Sequence, residues 1–141
     1  MLLPETKIYK ALSTSDKLLN LMKQLRIAEC DDNLIFNQDI PEDYQVANYA
    51  PIVRINYVGC SYRASDNVQN IYRPRVLVSF WVKELEQGEQ MFNIIKKILS
   101  DIGYYLYSED HEEDSDTGDQ LNNKMYVFRM YVHGLEVENE E

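Results

Sequence analysis

The residues best suited to metal chemistry lie in one acidic segment late in the chain. His111 is surrounded there by carboxylates: Glu109, Asp110, Glu112, Glu113 and Asp114. Clustered carboxylates are ligands that hard cations prefer, but a specific site needs ligands held at fixed positions. The segment also lacks the alternating Asp or Asn, central Gly and terminal Glu of a calcium-binding loop. We therefore predict adventitious cation affinity and no specific metal site.

The other candidate catalytic side chains are isolated in the sequence. His133 lies in a predicted strand near Arg129 and Tyr131, with no second His to act with it, which favours a hydrogen-bonded structural residue over a general base. Cys30 and Cys60 fall in separate segments without CxxC spacing. We expect two idle thiols in a reducing compartment and no disulfide.

Motifs for nucleophilic catalysis and phosphate binding are missing from the sequence. It contains no GxSxG elbow, no GxGxxG loop and no Walker loop, and only five Gly residues. Backbone amides therefore have no obvious place to bind a phosphate group. The prediction is a protein that is not an enzyme and needs no cofactor.

The charge of the chain is concentrated in two places. Of 24 acidic residues, seven fall between residues 109 and 119 and four between 136 and 141, which leaves 13 acidic against 14 basic residues elsewhere. No excess of Lys and Arg is available to displace counterions from nucleic acid phosphates. This argues against a general duplex-binding surface and against sequence-specific nucleic acid recognition.

Length and hydropathy predict one soluble domain spanning residues 1–141. A chain of 141 residues with 45% hydrophobic residues can bury a core of its own. No run approaches the 18 or so apolar residues that suggest a membrane span. The first four residues are too short to form a targeting sequence, so we expect an intracellular product.

The central stretch of the chain predicts a strand followed by a helix. Residues 75–83 alternate, with Val76, Val78, Phe80 and Val82 on one face and Arg75, Leu77, Ser79, Trp81 and Lys83 on the other. Residues 84–102 carry apolar side chains at spacings of three and four, and Gly103 ends the pattern. An amphipathic helix of this kind packs on a sheet, and the preceding strand supplies part of one.

The flanking segments complete an α+β fold with a core at residues 6–135. Residues 7–25 predict helix in two pieces with a Ser-rich joint, and strands are predicted at 34–36, 52–58, 104–107 and 124–135. Residues 108–123 predict an acidic flexible loop that the fold can do without, and residues 136–141 a frayed acidic tail. We expect a mostly antiparallel sheet of four to five strands with two helices on one face.

Residues 59–74 form a connection between two strands that is longer than a hairpin needs. With Arg75, this hairpin arm carries a basic and aromatic set: Tyr62, Arg63, Tyr72, Arg73 and Arg75. It is either a mobile hairpin tip or a docking arm. The sheet face that bears Leu77 and Trp81 is partly apolar and should be covered, for which another subunit would serve.

The order of these elements resembles the tail-completion or tail-terminator proteins of long-tailed bacteriophages. The resemblance covers nearly all of residues 6–135. It lies in a helix with a Leu- and Ser-containing joint, a Pro-preceded strand, an Arg-flanked strand that leads into a helix, and a helix end of Gly followed by an aromatic. The corresponding residues are 8–13 (IYKALS), 16–19 (DKLL), 50–55 (APIVRI), 73–82 (RPRVLVSFWV) and 102–104 (IGY).

The resemblance implies a virion protein of the phage tail, assembled in the host cytoplasm. Such a subunit forms a ring, typically a hexamer, at the head-proximal end of the tail tube, where it ends tube polymerisation and meets the head connector. Its partners would be itself, the tail-tube protein and the head connector protein, with DNA passing through the lumen, and with no membrane, metal or cofactor. The residues expected to contact a neighbouring subunit or the tube are Tyr62, Arg63, Tyr72, Arg73, Arg75, Leu77 and Trp81.

One feature departs from the family pattern. The acidic residues 109–119 either line a ring lumen or form a solvated insertion. Two alternatives remain: another head-tail connector or head-closure component, and an acidic inhibitor that mimics nucleic acid. A mimic is expected to spread its acidic residues along ordered helices or strands, whereas this sequence predicts them in a loop and a tail.

Overall fold

The computed structural model describes residues 3–65, 68–114 and 124–137. Its helices are α1 (Pro4–Ser13), α2 (Asp16–Leu25) and α3 (Leu85–Asp101), with 3₁₀ turns at Glu42–Tyr44 and Ala47–Tyr49. Its strands are β1 (Ile35–Asn37), β2 (Ile52–Ser65), β3 (Val68–Val82), β4 (Tyr105–Glu113), β5 (Tyr126–His133) and β6 (Glu136–Val137). No helix in these ranges is long and apolar enough to cross a bilayer.

The strands form one mixed sheet in the order β1-β2-β3-β5-β4, and β6 pairs with β3. Only the β1–β2 pair is parallel among these strands, and the other pairs are antiparallel. The predicted α+β fold with a mostly antiparallel sheet is confirmed. The described residues contain three helices because the first predicted helix is divided at Thr14 and Ser15.

Local signals in the sequence place the helix ends. The Ser15 Oγ accepts a hydrogen bond from the Leu18 N–H at 3.2 Å, which satisfies one of the free donors at the start of α2. Gly103 follows α3 with φ at 86°, a left-handed conformation that Gly adopts without steric cost. The next residue, Tyr104, then donates its N–H to the Leu99 carbonyl at 2.9 Å and closes the helix.

The main core lies between one sheet face and the helices. The alternate residues Val76, Val78, Phe80 and Val82 of β3 are completely buried, as the two-residue period predicts. They belong to the same cluster as the buried residues of the three helices: Ile8, Leu12, Leu18, Met22, Met91, Ile95 and Leu99. The three helices therefore contribute to one core with this face of the sheet.

The predicted acidic loop at 108–123 is wrong for residues 108–113, which belong to β4. Their partner is β5, with Asp110 opposite Arg129 and Glu112 opposite Val127. The segment has no apolar stripe, so the sequence predicted a loop. A neighbouring strand can nevertheless satisfy the backbone of a polar segment without burying its side chains. Residues 115–123 lie outside the described residues.

The predicted frayed tail also begins too early. Glu136 and Val137 form β6, which pairs with Tyr72 and Ile71 of β3. The Glu136 carboxylate accepts a hydrogen bond from Lys7 of α1 at 2.6 Å. These contacts come from residues far away in the sequence, so the local composition does not predict them. Residues 138–141 lie outside the described residues.

Candidate interaction surface

The hairpin arm is a continuation of the sheet and not a loop. Strands β2 and β3 contain 14 and 15 residues and remain paired from Ile52 and Trp81 outwards to Ser65 and Val68. The register shifts between Tyr57 and Gly59, which makes Val58 a bulge. We call the paired segments beyond it, residues 59–65 and 68–75, the ribbon. At about 3.3 Å per residue it extends the sheet by roughly 20 Å.

One side of the ribbon, which we call the aromatic face, carries Tyr62 and Tyr72, and Tyr57 lies on the same side just before the bulge. Tyr62 and Tyr72 are cross-strand partners, and their ring centroids lie 5.8 Å apart. Tyr62 is 64% exposed and Tyr57 45% exposed, which is unusual for such large rings on ordered strands. With the start of α1 they line a depression of about 260 Å³, completed by Leu3, Pro4, Glu5, Cys60 and Pro74. Both Cys60 and Cys30 are free thiols.

Glu5 supplies the negative charge of this depression, which we call the Glu5 pocket. It lies in the first turn of α1 and is only 9% exposed. Its Oε1 atom is fully buried and has no hydrogen-bond partner in the structure described here. A carboxylate beside a helix N-terminus is favoured by the helix dipole, but that interaction does not replace a lost hydrogen bond.

Tyr104 packs behind the base of the ribbon. Burial raises the pKa of Tyr104 well above its usual value, and the nearby carboxylate of Glu136 adds to the shift. Its hydroxyl is buried without a hydrogen-bond partner in the described part of the chain. Burial also raises the pKa of Tyr57, with further contributions from Cys60, Tyr62 and Glu5. The Arg75 guanidinium acts in the opposite direction and lowers the pKa of Tyr57.

The opposite side of the ribbon, which we call the basic face, carries Arg73 and Arg75. Because side chains alternate along a strand, these two residues point away from Tyr72 and Pro74. Both arginines are exposed and line a depression of about 270 Å³ with Ser61, Tyr107 and His133. The rings of Tyr107 and His133 meet edge to face at 5.3 Å. Neither arginine forms an ion pair with a residue that the structure describes.

The structure therefore separates the seven predicted interface residues into three pairs and the single residue Arg63. Tyr62 and Tyr72 lie together on the aromatic face, and Arg73 and Arg75 on the basic face. The backbone of Arg63 pairs with Ile71, and its side chain lies outside the described residues. Leu77 and Trp81 lie further along β3, away from the ribbon.

Trp81 is held mainly by its own chain. Its Nε1–H donates to the Asp114 carboxylate at 2.7 Å, and the Arg54 guanidinium lies 5.0 Å from the centre of its ring. The ring also packs against a small cluster of Ala47, Ala50 and Met125. The segment before β2 therefore covers this end of the second sheet face, while Leu77 in the middle stays half-buried. The sequence predicts that another subunit covers both residues, whereas in the structure Trp81 is covered by its own chain.

His111 lies at the end of a ring stack that crosses three strands. It stacks on Phe128 at 4.9 Å, and Phe128 stacks on Phe80 at 5.1 Å. A depression of about 330 Å³ beside it is lined by Leu85, Glu89, Phe92 and Glu109. No group of three or more His, Cys, Asp or Glu side chains in the described ranges is arranged to hold a metal ion. The position of His111 is explained by ring packing.

Sequence reasoning missed Glu5 and Tyr57. Glu5 precedes the predicted helix at 7–25, whereas the structure begins α1 at Pro4, and Tyr57 lies in a predicted strand where nothing local distinguishes it from an ordinary surface residue. Only the folded chain brings the start of α1 beside the ribbon. Comparison with known proteins adds no relative: no protein-family model matches the chain, and no curated protein sequence matches it significantly.

Proposed function

We propose that this protein is a structural subunit of a phage virion, which forms a ring at the head-proximal end of the tail. There it ends tail-tube polymerisation and provides the surface to which the head joins. The observation that carries the proposal is the ribbon: a long, ordered two-stranded extension with exposed rings on one face and exposed arginines on the other. The resemblance to tail-terminator proteins is the reason for proposing the tail end as the place of assembly.

The ribbon suits subunit contact better than it suits catalysis. Exposed Tyr and Arg are enriched at protein interfaces because each provides a large contact area with a polar end. A ring requires a heterologous contact, in which two different surfaces of one subunit meet. The two chemically different faces of the ribbon meet that requirement.

The acidic strand β4 is compatible with the same proposal. It is an edge strand in the described sheet and bears Glu109, Asp110, Glu112 and Glu113. Charged side chains on an edge discourage further strand pairing, which favours a ring of fixed geometry over open aggregation. If the strand faced the ring lumen, its charge would also let DNA pass without binding.

Tube-length measurements test the proposal. The full chain would be added to a phage tail-tube protein that polymerises in solution, and tube lengths would be measured by electron microscopy. We expect shorter tubes of uniform length with a ring at one end. A chain that remains monomeric and leaves tube length unchanged would contradict the proposal. A chain that caps an isolated head connector but not the tube would instead indicate a head-closure component.

The structure gives one observation in favour of the acidic mimic. Glu109 to Glu113 lie on an ordered strand, so their expected position in a loop no longer counts against it. However, Arg129 binds two of these carboxylates, Asp110 and Glu112, each at 2.9 Å, which lowers the charge presented on that side. We retain the virion function as the leading proposal, and a mimic would leave tube length unchanged in the experiment above.

A further inference from the structure

The Glu5 pocket contains a carboxylate that forms no ion pair with a described residue. Glu5 is 9% exposed, and its Oε1 has no hydrogen-bond partner. The nearest cation on the same helix, Lys7, is already bound to Glu136. A buried carboxylate oxygen without a partner is unfavourable, so a group that donates hydrogen bonds and brings positive charge would be stabilised there.

The walls of the pocket fit a cationic side chain. The exposed rings of Tyr57 and Tyr62 stand beside the carboxylate, and Tyr72 completes the wall. Aromatic faces attract guanidinium and ammonium groups, and a carboxylate can accept two hydrogen bonds from one arginine. The volume of about 260 Å³ lies below the range of about 300–1,000 Å³ of typical small-molecule sites. These features favour one inserted side chain over a free ligand.

A suitable cation lies on the other side of the same ribbon. Arg73 and Arg75 are exposed and form no ion pair with the described residues. The Arg75 guanidinium lies across Gly59, where an added Cβ would come within 3.1 Å of its Nη2. Because the two faces point in opposite directions, these arginines line a different depression from the Glu5 pocket of their own chain.

We propose that the Glu5 pocket of one copy of this protein receives Arg73 or Arg75 from the ribbon of a second copy. Contact between two basic faces would set arginines against each other, whereas contact between a basic face and a Glu5 pocket joins opposite charges. The association is therefore head to tail. An open row of subunits has an unpaired Glu5 pocket at one end and an unpaired basic face at the other until a ring closes. Ring closure rests on the proposed function, but the pairing of the two faces does not.

Charge reversal on each face tests the pairing. Glu5→Lys and the double change Arg73→Glu with Arg75→Glu would be made in the full chain, and association would be followed by sedimentation velocity and native mass spectrometry. We expect each variant to weaken self-association about 10-fold or more, because one partner of a buried charged pair is lost. An equimolar mixture of the two variants should recover association, since each supplies the surface that complements the other.

Two controls separate assembly from folding. Asp16→Lys makes the same change in the first turn of α2, on an exposed residue, and should leave association unchanged. Glu5→Gln removes the charge but keeps the side-chain shape, and should weaken association even if Glu5→Lys fails to fold. Circular dichroism and urea unfolding establish that each variant is folded.

Several outcomes would overturn the inference. One is a wild-type chain that stays monomeric at concentrations up to about 1 mM, because the free energy of association is then weaker than about −4 kcal/mol. The others are charge reversals that do not change association, a mixture of the two variants that does not associate, and a wild-type assembly that stops at dimers. The tube experiment is independent of these results. If the protein caps tubes but the Glu5 variants associate as well as the wild type, only the pairing of the two faces is rejected. If mixing the variants restores association but the protein has no effect on tubes, only the tail function is rejected.

Discussion

At the scale of single residues, several positions are fixed by contacts that their neighbours in sequence do not supply. Gly88 in α3 faces Phe128, and a Cβ at that position would lie 2.2 Å from the Cε1 and Cζ atoms of the ring. Phe128 in turn lies between Phe80 and His111 in the ring stack. The ring therefore has little freedom to move away from α3, and the helix approaches the sheet closely because this residue has no side chain.

Gly88→Ala should destabilise the fold in spite of its better helix propensity. Ala is favoured over Gly by about 1 kcal/mol in a helix, but overpacking a core costs about 1–3 kcal/mol. With an approach of 2.2 Å, we expect the upper part of that range and a net loss of about 2 kcal/mol in the free energy of unfolding. Urea denaturation measures the difference. Asn93→Ala, on the exposed side of α3, is the control and should be neutral or slightly stabilising. Equal stability of both variants would contradict the packing of Gly88.

Tyr104→Phe should stabilise the fold at pH 7 and make stability less sensitive to alkali. Removing a buried hydroxyl without a partner relieves a desolvation penalty of about 1–3 kcal/mol. Burial, with Glu136, raises the pKa of Tyr104 in the folded chain above its ordinary value of 10.0. Above that pH the unfolded chain releases the proton while the folded chain keeps it, so stability falls as pH rises.

Urea unfolding at pH 7 and pH 10.5 checks the Tyr104 prediction. The wild type should lose more stability between the two conditions than Tyr104→Phe does. Tyr105→Phe, on an exposed neighbouring ring, is the matched control and should follow the wild type. Identical losses in wild type and Tyr104→Phe would show that this hydroxyl is not responsible for the alkaline sensitivity.

At the scale of elements, β4 shows how a polar segment becomes a strand. The residues of β4 after Leu106 are all exposed, so burial contributes little to their order. The strand is stabilised instead by backbone hydrogen bonds to β5 and by the ion pairs of Arg129. Cross-strand pairs of opposite charge stabilise a sheet, but only when the two strands are already adjacent.

Arg129→Gln should loosen the outer half of β4. Each exposed ion pair contributes about 0.2–1 kcal/mol, so the loss of two should cost about 1 kcal/mol, less at high salt. Hydrogen exchange at the amides of residues 109–113 should accelerate more than exchange in β3. Lys97→Gln removes the single exposed pair with Asp101 on α3 and serves as the control, with an expected effect near zero. Unchanged exchange in β4 would mean that the backbone ladder alone holds the strand.

At the scale of the whole molecule, the formal charge of −10 conceals opposite local charges. The acidic residues of β4 occupy one edge of the sheet, whereas the basic face of the ribbon and the Glu5 pocket lie at the end of β2 and β3. The net charge alone predicts only mutual repulsion between copies, whereas the local charges allow surfaces of opposite charge to face each other.

The sequence by itself determined the α+β fold, the apolar faces of β3 and α3, and the joint between α1 and α2. In each case the signal is local: an alternation of two, spacings of three and four, a Ser cap or a Gly at a helix end. It also identified Tyr62, Tyr72, Arg73 and Arg75 as an unusual set. It does not show whether they share a face, because residues 59–74 have no regular alternation that would assign them a strand register.

Four features depend on the tertiary structure alone. They are the formation of strand β4, the ion pair between Lys7 and Glu136, the hydrogen bond from Trp81 to Asp114, and the pocket around Glu5. Each depends on a partner distant in the sequence: Trp81 and Asp114 are separated by 33 positions, and Lys7 and Glu136 by 129. A polar residue has no preferred environment until such a partner is placed beside it. The period of the apolar residues predicts which residues form the core, whereas a polar contact forms only after packing of the core has brought its two side chains together.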